Sequence, residues 1–405
     1  MRRAVLVILL AVVVVIAGTS AGVALWLRRY GPPPELLIQR ADGNLALLDA
    51  QGQRRQLTTD ADGRTRSYGF PTPAPNGRSV AYVETVRTTD AISSSLVVHR
   101  LQGARRVLFG SRDAQPFYLY WSPDSAHIAF LTGDTGGMML RTVNAQGTPV
   151  PQQIIPGQPS YFSWTPDSRR LLLHTGGSAP GGSLSLWSIG DDMPRTWETQ
   201  PSMFQAPAWL EDGRTAVAAI TDGPDAALAR LDDAGNVLQK LATSRSGMLF
   251  VMSPSRELVA YVPLSIGGAG NLRIVGVDGN GDREAIATPV LTFLWSPDST
   301  KLAFLTTASE TDRTVAFKAQ ATLTLRWNVL DLPTGEARAL KSFEPTEAFL
   351  NLLPFFDQYA QSIRLWDQAS RRLVYADPAG VWTLDVVSGE AARIDEGVLG
   401  MWMEH

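Results

Sequence analysis

Apolar and polar positions along the chain follow a hairpin pattern that recurs at a nearly constant spacing. In its clearest form, residues 295–305, an apolar strand ends at Trp295, a Ser-Pro-Asp-Ser turn follows, and a second apolar strand returns. Proline presets the first corner of such a turn and Asp with Ser or Gly completes it, so the pattern predicts a β-hairpin. Further copies, of decreasing clarity, begin at Trp121, Trp164, Trp209, Met252, Trp366 and Pro73.

The spacing of these copies predicts a repeat architecture. Their starting positions, from residue 73 to residue 366, lie 48, 43, 45, 43, 43 and 71 residues apart. A period of roughly 40–45 residues is the length of a four-stranded propeller blade. A second hairpin signal, in most cases an Asp-x-x-Gly turn, falls midway in most periods, at residues 48–52, 143–147, 231–235, 277–281, 330–335 and 386–389. Each period therefore predicts four strands, A to D, of an all-β propeller.

The two ends of the repeat region predict how the ring closes. Residues 36–38, 44–48 and 55–58 read as strands, but they begin in the middle of a repeat. Residues 397–405 have the spacing of residues 290–298 and supply the missing first strand. A composite blade of this kind removes the free sheet edges of an open array. We predict a propeller domain over residues 36–405 with eight blades, or seven if one degenerate repeat forms no blade.

An uncharged apolar stretch precedes the repeats. Residues 4–27 would reach about 36 Å as a helix, enough to cross the hydrocarbon core of a bilayer, and arginines flank both ends of the stretch. We predict one transmembrane helix within an anchor of residues 1–29, followed by a Pro-rich spacer at 30–35. The alternative is a signal peptide cleaved near residues 19–21. The long polar domain that follows predicts an extracytoplasmic location at the cell membrane.

Strand order separates two faces of the predicted ring. The A–B and C–D turns, short and repetitive, form one end of every blade, here named the turn face. The B–C and D–A connections form the other end, the loop face, and they vary in length. Because binding residues concentrate on variable loops that a rigid scaffold holds, we expect function on the loop face. Each loop taken singly has the simpler interpretation of a solvated connection.

The longest period carries a predicted helical insert on the loop face, at about residues 342–361. Thr346 has the position of an N-cap, and an aromatic face follows at helical spacing. Its members, Phe349, Leu352, Phe356 and Tyr359, are candidate residues for docking a partner. The alternative is that this face packs on the protein's own blades and covers a gap or the channel mouth.

The recurring residues of the repeat have structural interpretations. One position per repeat holds tryptophan, which predicts packing between blades at Trp121, Trp164, Trp209, Trp295, Trp366 and Trp402. The Asp residues of the turns are turn formers. No Gly-x-Ser-x-Gly elbow or phosphate-binding Gly-rich loop occurs, and the four histidines are scattered singly. We predict no catalytic residue, metal ligand or cofactor.

Charge and cysteine content narrow the possible partners. Apart from the four arginines that flank the apolar stretch, the chain has 32 Lys or Arg and 39 Asp or Glu. A weakly acidic domain without basic runs is a poor nucleic-acid binder. The absence of cysteine excludes disulfides and leaves the compartment undecided.

The Trp-Ser-Pro-Asp-Ser hairpin followed by an Asp-x-x-Gly turn resembles the WD40-like (PD40) repeat of TolB-like bacterial propellers, across nearly all of residues 36–405. The Gly-His dipeptide of true WD40 repeats is absent, and Trp-Asp occurs once, at Trp366. The resemblance implies a propeller of the cell envelope that works by protein or ligand contact. It differs from soluble TolB in the predicted membrane anchor and in lacking a separate N-terminal α/β domain.

We therefore expect a membrane-anchored, non-catalytic binding or scaffold module with a protein partner in the envelope. The alternative is a propeller enzyme, lactonase-like or glycan-cleaving, with carboxylates or a metal converging at the channel mouth. A third possibility is a ring that serves mainly as a spacer. The sequence leaves the oligomeric state open.

Overall fold

The computed structural model describes residues 34–148, 150–156, 160–177, 181–203, 205–265, 268–308 and 323–403. These residues form eight antiparallel sheets, the blades of a β-propeller. First strands of neighbouring blades contact one another, so the A strands line the central axis. The prediction of eight blades rather than seven is confirmed.

Blade 1 is the composite blade that closes the ring. Its sheet order is β3-β2-β1-β32, so the last strand of the described chain is its innermost strand. Leu36 pairs with Trp402 and Gln39 with Leu399 across this junction. The third strand ends two residues earlier than expected. The strands are β1 (Pro34–Gln39), β2 (Leu45–Asp49), β3 (Arg54–Gln56) and β32 (Leu399–Trp402).

Blades 2 to 5 each follow the chain from the innermost strand outward. Blade 2 consists of β4 (Arg66–Pro73), β5 (Ser79–Arg87), β6 (Ile92–Arg100) and β7 (Arg105–Ser111). Blade 3 consists of β8 (Gln115–Trp121), β9 (His127–Asp134), β10 (Gly137–Asn144) and β11 (Gln152–Pro156). Blade 4 consists of β12 (Ser160–Trp164), β13 (Arg170–Thr175), β14 (Ser183–Ser188) and β15 (Arg195–Thr196). Blade 5 consists of β16 (Ala208–Trp209), β17 (Thr215–Asp222), β18 (Asp225–Asp232) and β19 (Val237–Ser244).

Blades 6 to 8 carry the irregular features. Blade 6 has a short extra strand, β22, beside β21, and in blade 8 the innermost position is a single bridge between Trp366 and Leu373. Blade 6 consists of β20 (Met248–Met252), β21 (Leu258–Ser265), β22 (Gly268–Ala269), β23 (Leu272–Gly276) and β24 (Arg283–Ile286). Blade 7 consists of β25 (Thr292–Trp295), β26 (Lys301–Thr307), β27 (Leu325–Asp331) and β28 (Ala337–Phe343). Blade 8 adds β29 (Arg372–Asp377), β30 (Gly380–Asp385) and β31 (Ala391–Asp395).

The predicted insert between blades 7 and 8 is helical. It comprises α1 (Glu347–Leu350), a 3₁₀ turn (Leu353–Phe355) and α2 (Phe356–Tyr359). Thr346 is the N-cap, its hydroxyl accepting from Phe349 N, as the sequence predicted. The same hydroxyl donates to Val398 O at 2.6 Å and so fastens the insert to the loop-face end of blade 1.

The recurring tryptophans connect neighbouring blades. All six are buried, and five indole N–H groups donate to a carbonyl oxygen of the preceding blade at 3.0–3.3 Å. These donors are Trp121, Trp164, Trp209, Trp295 and Trp366. Trp402, in the closing strand, instead lies beneath the guanidinium of Arg372, 4.6 Å from the ring centre.

A second set of bonds joins the A–B turns around the ring. The fourth and last turn position has positive φ in seven blades, at Gly77, Ser125, Ser168, Gly213, Arg256, Ser299 and Ser370. Where this residue is serine, its hydroxyl accepts from a backbone N–H in the A–B turn of the preceding blade, at 2.9–3.1 Å. The hydrogen bond of the serine hydroxyl links two blades and so offsets the backbone strain at this position.

The predicted membrane anchor, residues 1–29, lies outside the described residues, as does most of the spacer. Among the residues that the structure describes, no helix has the length and apolarity needed to cross a bilayer.

Candidate functional site

The helical insert lies in the central channel of the ring. It follows the outermost strand of blade 7, is fastened to blade 1 at Val398, and continues into the channel along the innermost strands of several other blades. The position where a propeller ring is open is therefore largely filled by the protein's own chain.

The four candidate docking residues line one small cavity of about 30 Å³ between the insert and blade 7. Phe349 and Phe356 are buried, Phe349 with its ring centre 6.2 Å from that of Trp327. Leu352 and Tyr359 are half-buried. Burial against the blades accounts for the helical spacing of these residues without a partner. A partner could reach Phe349 and Phe356 only if the insert lifted off the ring.

Gln358 holds the insert in the channel and is 1% exposed. Its Oε1 accepts from Phe162 N at 2.7 Å, and its Nε2 donates to Phe162 O at 2.9 Å. The innermost strand is a sheet edge with unpaired backbone groups. A primary amide carries the same donor and acceptor as a peptide unit, so Gln358 completes the hydrogen bonds of blade 4. Tyr118 of blade 3 donates its hydroxyl to Gln358 O at 3.0 Å.

Asp357 makes the corresponding contact with blade 5. Its Oδ2 accepts from Ala206 N at 2.8 Å, and the side chain is buried. Burial raises the pKa of Asp357 to about 6, although the hydrogen bond from Ala206 acts to lower it. A buried carboxyl group with a raised pKa thus lies at the junction between insert and ring.

Part of the channel wall remains exposed and aromatic. Phe70, on the innermost strand of blade 2, is 43% exposed, and Phe355 of the insert is 46% exposed. The Phe70 ring centre lies 6.5 Å from that of Phe117 on blade 3, and Phe355 lies 6.4 Å from Tyr161 on blade 4. We name these four residues the channel aromatics.

Phe70 occupies an unfavourable backbone conformation. Its φ is +50°, at a bulge where the pairing of β4 with β5 shifts register. A bulky L-residue in the left-handed region is strained by roughly 1–2 kcal/mol. Strain of this kind clusters at functional sites. A strained, exposed aromatic residue on the channel wall is the strongest sign of a binding surface in the described part of the ring.

A larger cavity opens among the A–B turns, on the turn face. It has a volume of about 270 Å³ and is bordered by tryptophans of blades 7, 8 and 1, together with Arg364 and Gln368. The sequence predicted function on the loop face and did not predict this cavity.

No group of three or more His, Asp or Glu side chains among the described residues is placed to hold a metal ion. His174 is buried between two backbone carbonyl oxygens, those of Gln205 at 2.8 Å and Gly177 at 2.9 Å. Burial in the channel raises the pKa of Asp357, but this carboxyl group already accepts a hydrogen bond from the backbone of blade 5.

Sequence reasoning missed Phe70, Asp357 and Gln358. A signal for Phe70 exists, because residues 68–73 have Pro73 where other repeats have tryptophan and so depart from the pattern. Asp357 and Gln358 were polar interruptions of an aromatic helix face, but their partners lie about 150–200 residues away in sequence. No local pattern identifies such partners.

No protein-family model matches the chain, and no curated protein matches its sequence. Solved structures share its fold. A TolB-type protein from Agrobacterium tumefaciens has a TM-score of 0.41 and 18% identity, over 59% of this chain and 85% of that one. The dihydro-heme d1 dehydrogenase NirN has a TM-score of 0.54 and 14% identity, over 92% and 74%. The oligogalacturonate lyase from Vibrio parahaemolyticus has a TM-score of 0.50 and 12% identity, over 77% and 84%.

At such identities these likenesses show the fold alone. The eight-blade ring agrees with the propeller that the repeat motif predicted. Of these three neighbours, the two with TM-scores of 0.50 or more are named as a lyase and a dehydrogenase, and a shared fold does not transfer their activities to this chain.

Proposed function

We propose that the chain is a membrane-anchored, non-catalytic binding module that presents its propeller outside the cytoplasm to a protein partner. The partner inserts apolar side chains against the channel aromatics. The anchor part of the proposal comes from the apolar stretch at residues 4–27.

The observation that carries the binding role is the exposed, strained Phe70 beside Phe117. Tyr118, at the same repeat position in blade 3, also has a positive φ, of +44°, but its side chain is buried, so exposure of the ring is what distinguishes Phe70. Large aromatic side chains are also the residues most often dominant in protein interfaces. The filled channel is consistent with contact rather than with enclosure of a small substrate.

The test of membrane anchoring uses the full chain in its host cells. Integral insertion predicts that the protein stays in the membrane pellet after an alkaline carbonate wash. An extracytoplasmic ring predicts that protease added to intact spheroplasts digests it. Release by carbonate, or protection from protease, would contradict this part of the proposal.

The test of partner binding uses Phe70→Gly, because this variant removes the ring and relieves the strain together. We expect its melting temperature to equal or exceed that of the intact protein, while partner crosslinking at the channel falls at least tenfold. Met193→Ser is the matched control, since Met193 is 78% exposed and follows the C strand of blade 4, away from the channel. Equal crosslinking by the intact chain and Phe70→Gly would exclude the channel aromatics as the binding surface.

A further inference from the structure

Charge is distributed very unevenly around the ring. Residues 36–112, which form the N-terminal part of blade 1 and all of blade 2, have 11 arginines and 6 acidic residues, a net charge of +5. Residues 113–405 have 21 Lys or Arg and 32 Asp or Glu, a net charge of −11. A basic sector in an otherwise acidic domain points to a specific partner of negative charge.

The basic sector interrupts a repeated acidic pattern on the turn face. The first position of the C–D turn is aspartate in four of the other seven blades, at Asp49, Asp232, Asp331 and Asp385. In blade 2 the same position is Arg100, whose carbonyl accepts from Gly103 N as the aspartates do in their turns. In the A–B turn of blade 2, Asn76 replaces aspartate, and Arg78 stands two positions later, where blades 4, 5 and 8 also have arginine.

Three exposed arginines of this sector meet around one turn. Arg55 of blade 1 donates to Leu101 O at 3.5 Å, and Leu101 N donates to Arg78 O at 2.9 Å. Arg100 directly precedes Leu101. No ion pair joins any of these three guanidinium groups to a carboxylate among the described residues, whereas Arg54, Arg66 and Arg105 are paired.

The described chain enters the ring beside this sector. Pro34, the first residue of β1, pairs with Asp49 at the turn-face end of blade 1. Between residue 27, where the apolar stretch ends, and Pro34 lie six residues, which can span at most about 20 Å. If residues 4–27 cross the bilayer, the turn face of blades 1 and 2 is held within that distance of the headgroups.

We propose that the turn face of blades 1 and 2, around Arg55, Arg78 and Arg100, rests on a bilayer that contains anionic phospholipids. This inference rests on the proposed membrane anchor. Arginine binds phosphate oxygens in a bidentate manner, and its attraction to a charged surface acts within a Debye length of about 8–10 Å.

The ring consequently leans on the edge formed by blades 1 and 2. This tilt moves the aspartates of the other turns away from the surface that would repel them. Asp49 lies in the C–D turn of blade 1 on the same face, and its carboxylate already accepts from the backbone N–H groups of Gln51 and Gln53. The loop face and the channel aromatics then point away from the membrane.

The absence of cysteine permits a direct test of the tilt. The full chain carrying Gln102→Cys, in the C–D turn of blade 2, is labelled with a fluorescent donor and reconstituted into nanodiscs with headgroup-labelled acceptor lipid. Thr89→Cys, in the B–C loop of the same blade, reports the opposite face. Discs of phosphatidylcholine alone are compared with discs containing 30% phosphatidylglycerol.

We expect phosphatidylglycerol to raise energy transfer from position 102 and leave position 89 unchanged, and 0.5 M NaCl to remove the rise. Replacing Arg55, Arg78 and Arg100 by Gln should lower the ratio of docked to undocked ring about 100-fold, at about 1 kcal/mol for each arginine near the surface. The matched control replaces three arginines at the loop-face ends of the same two blades, Arg64, Arg87 and Arg112, and should keep the rise.

Several results would overturn the inference. One is energy transfer from position 102 that is the same in both kinds of disc, and another is an equal loss in the control triple variant. Loss of the rise on adding 10 mM inorganic phosphate at constant ionic strength would indicate a site for free phosphate instead. If the chain does not enter the discs, the anchor fails and this inference fails with it. If the chain enters the discs but energy transfer does not depend on the lipid, the docking is refuted and the membrane anchor is not.

Discussion

Gln358→Leu tests whether the insert is an integral part of the ring. Leucine fills a similar volume and excludes water, but it cannot bond the backbone of Phe162. The change leaves one buried N–H and one buried C=O of blade 4 without their partner. Tyr118 keeps an acceptor for its hydroxyl, because it donates to the backbone carbonyl at 358.

The structure gives the size of the effect. An unsatisfied buried polar group costs roughly 1–3 kcal/mol, so two cost about 4 kcal/mol. At an unfolding entropy of about 2.1 cal/mol/K per residue, a ring of residues 36–405 loses roughly 5 °C of melting temperature for that amount. Differential scanning fluorimetry of the detergent-solubilised full chain measures the shift.

Gln361→Leu is the matched control in the same insert. Gln361 bonds Tyr120 and Pro207 at 3.3 and 3.4 Å, at the weak end of hydrogen-bond geometry. We expect a loss of about 1 °C or less from this change. Equal shifts for the two variants would refute the claim that Gln358 completes the sheet edge of blade 4.

Three further predictions concern stability. The folded-state pKa of Asp357, about 6, exceeds its ordinary value of 3.8. The stability due to this group is therefore greatest below pH 4 and falls by about 3 kcal/mol as the pH rises through 6. The difference in melting temperature between the intact chain and Asp357→Asn should change between pH 4 and 6, and a constant difference would contradict the prediction. Trp209→Phe removes an indole hydrogen bond to Ser163 O and should cost about 1–2 kcal/mol more than Trp402→Phe, measured by urea unfolding. Ser168→Ala should destabilise the protein by about 1 kcal/mol and Ser168→Gly by less, because glycine relieves the strain of φ +63° that alanine retains. The reverse order in the same assay would show that strain is unimportant.

Sequence reasoning placed the hairpins, the composite blade and the N-cap at Thr346 correctly, because each depends on residues close together in the chain. Turn formation at Pro-Asp-Ser is a local property of backbone conformation. The helices of the insert were likewise predicted from spacing. What the insert does was not decided locally, since the same aromatic face could pack inward or present itself to a partner.

The features that characterise the candidate surfaces required tertiary structure. The bulge at Phe70 changes which way the innermost strand directs its side chains. Neither the turn residues nor the alternation of apolar and polar positions predicts this bulge. The grouping of Arg55, Arg78 and Arg100 combines residues of two blades that meet only when the ring forms. The local sequence shows that these residues are charged, but not that they lie close together.

The sequence by itself determined the repeated hairpin and the way the ring closes, because hairpin turns form locally and a composite blade pairs the free sheet edges; it favoured eight blades and left seven open. Only the tertiary structure decided that the insert fills the channel. Its anchor, Gln358, bonds Phe162 from 196 positions away, and the free energy of that contact arises from a sheet edge that exists only in the closed ring.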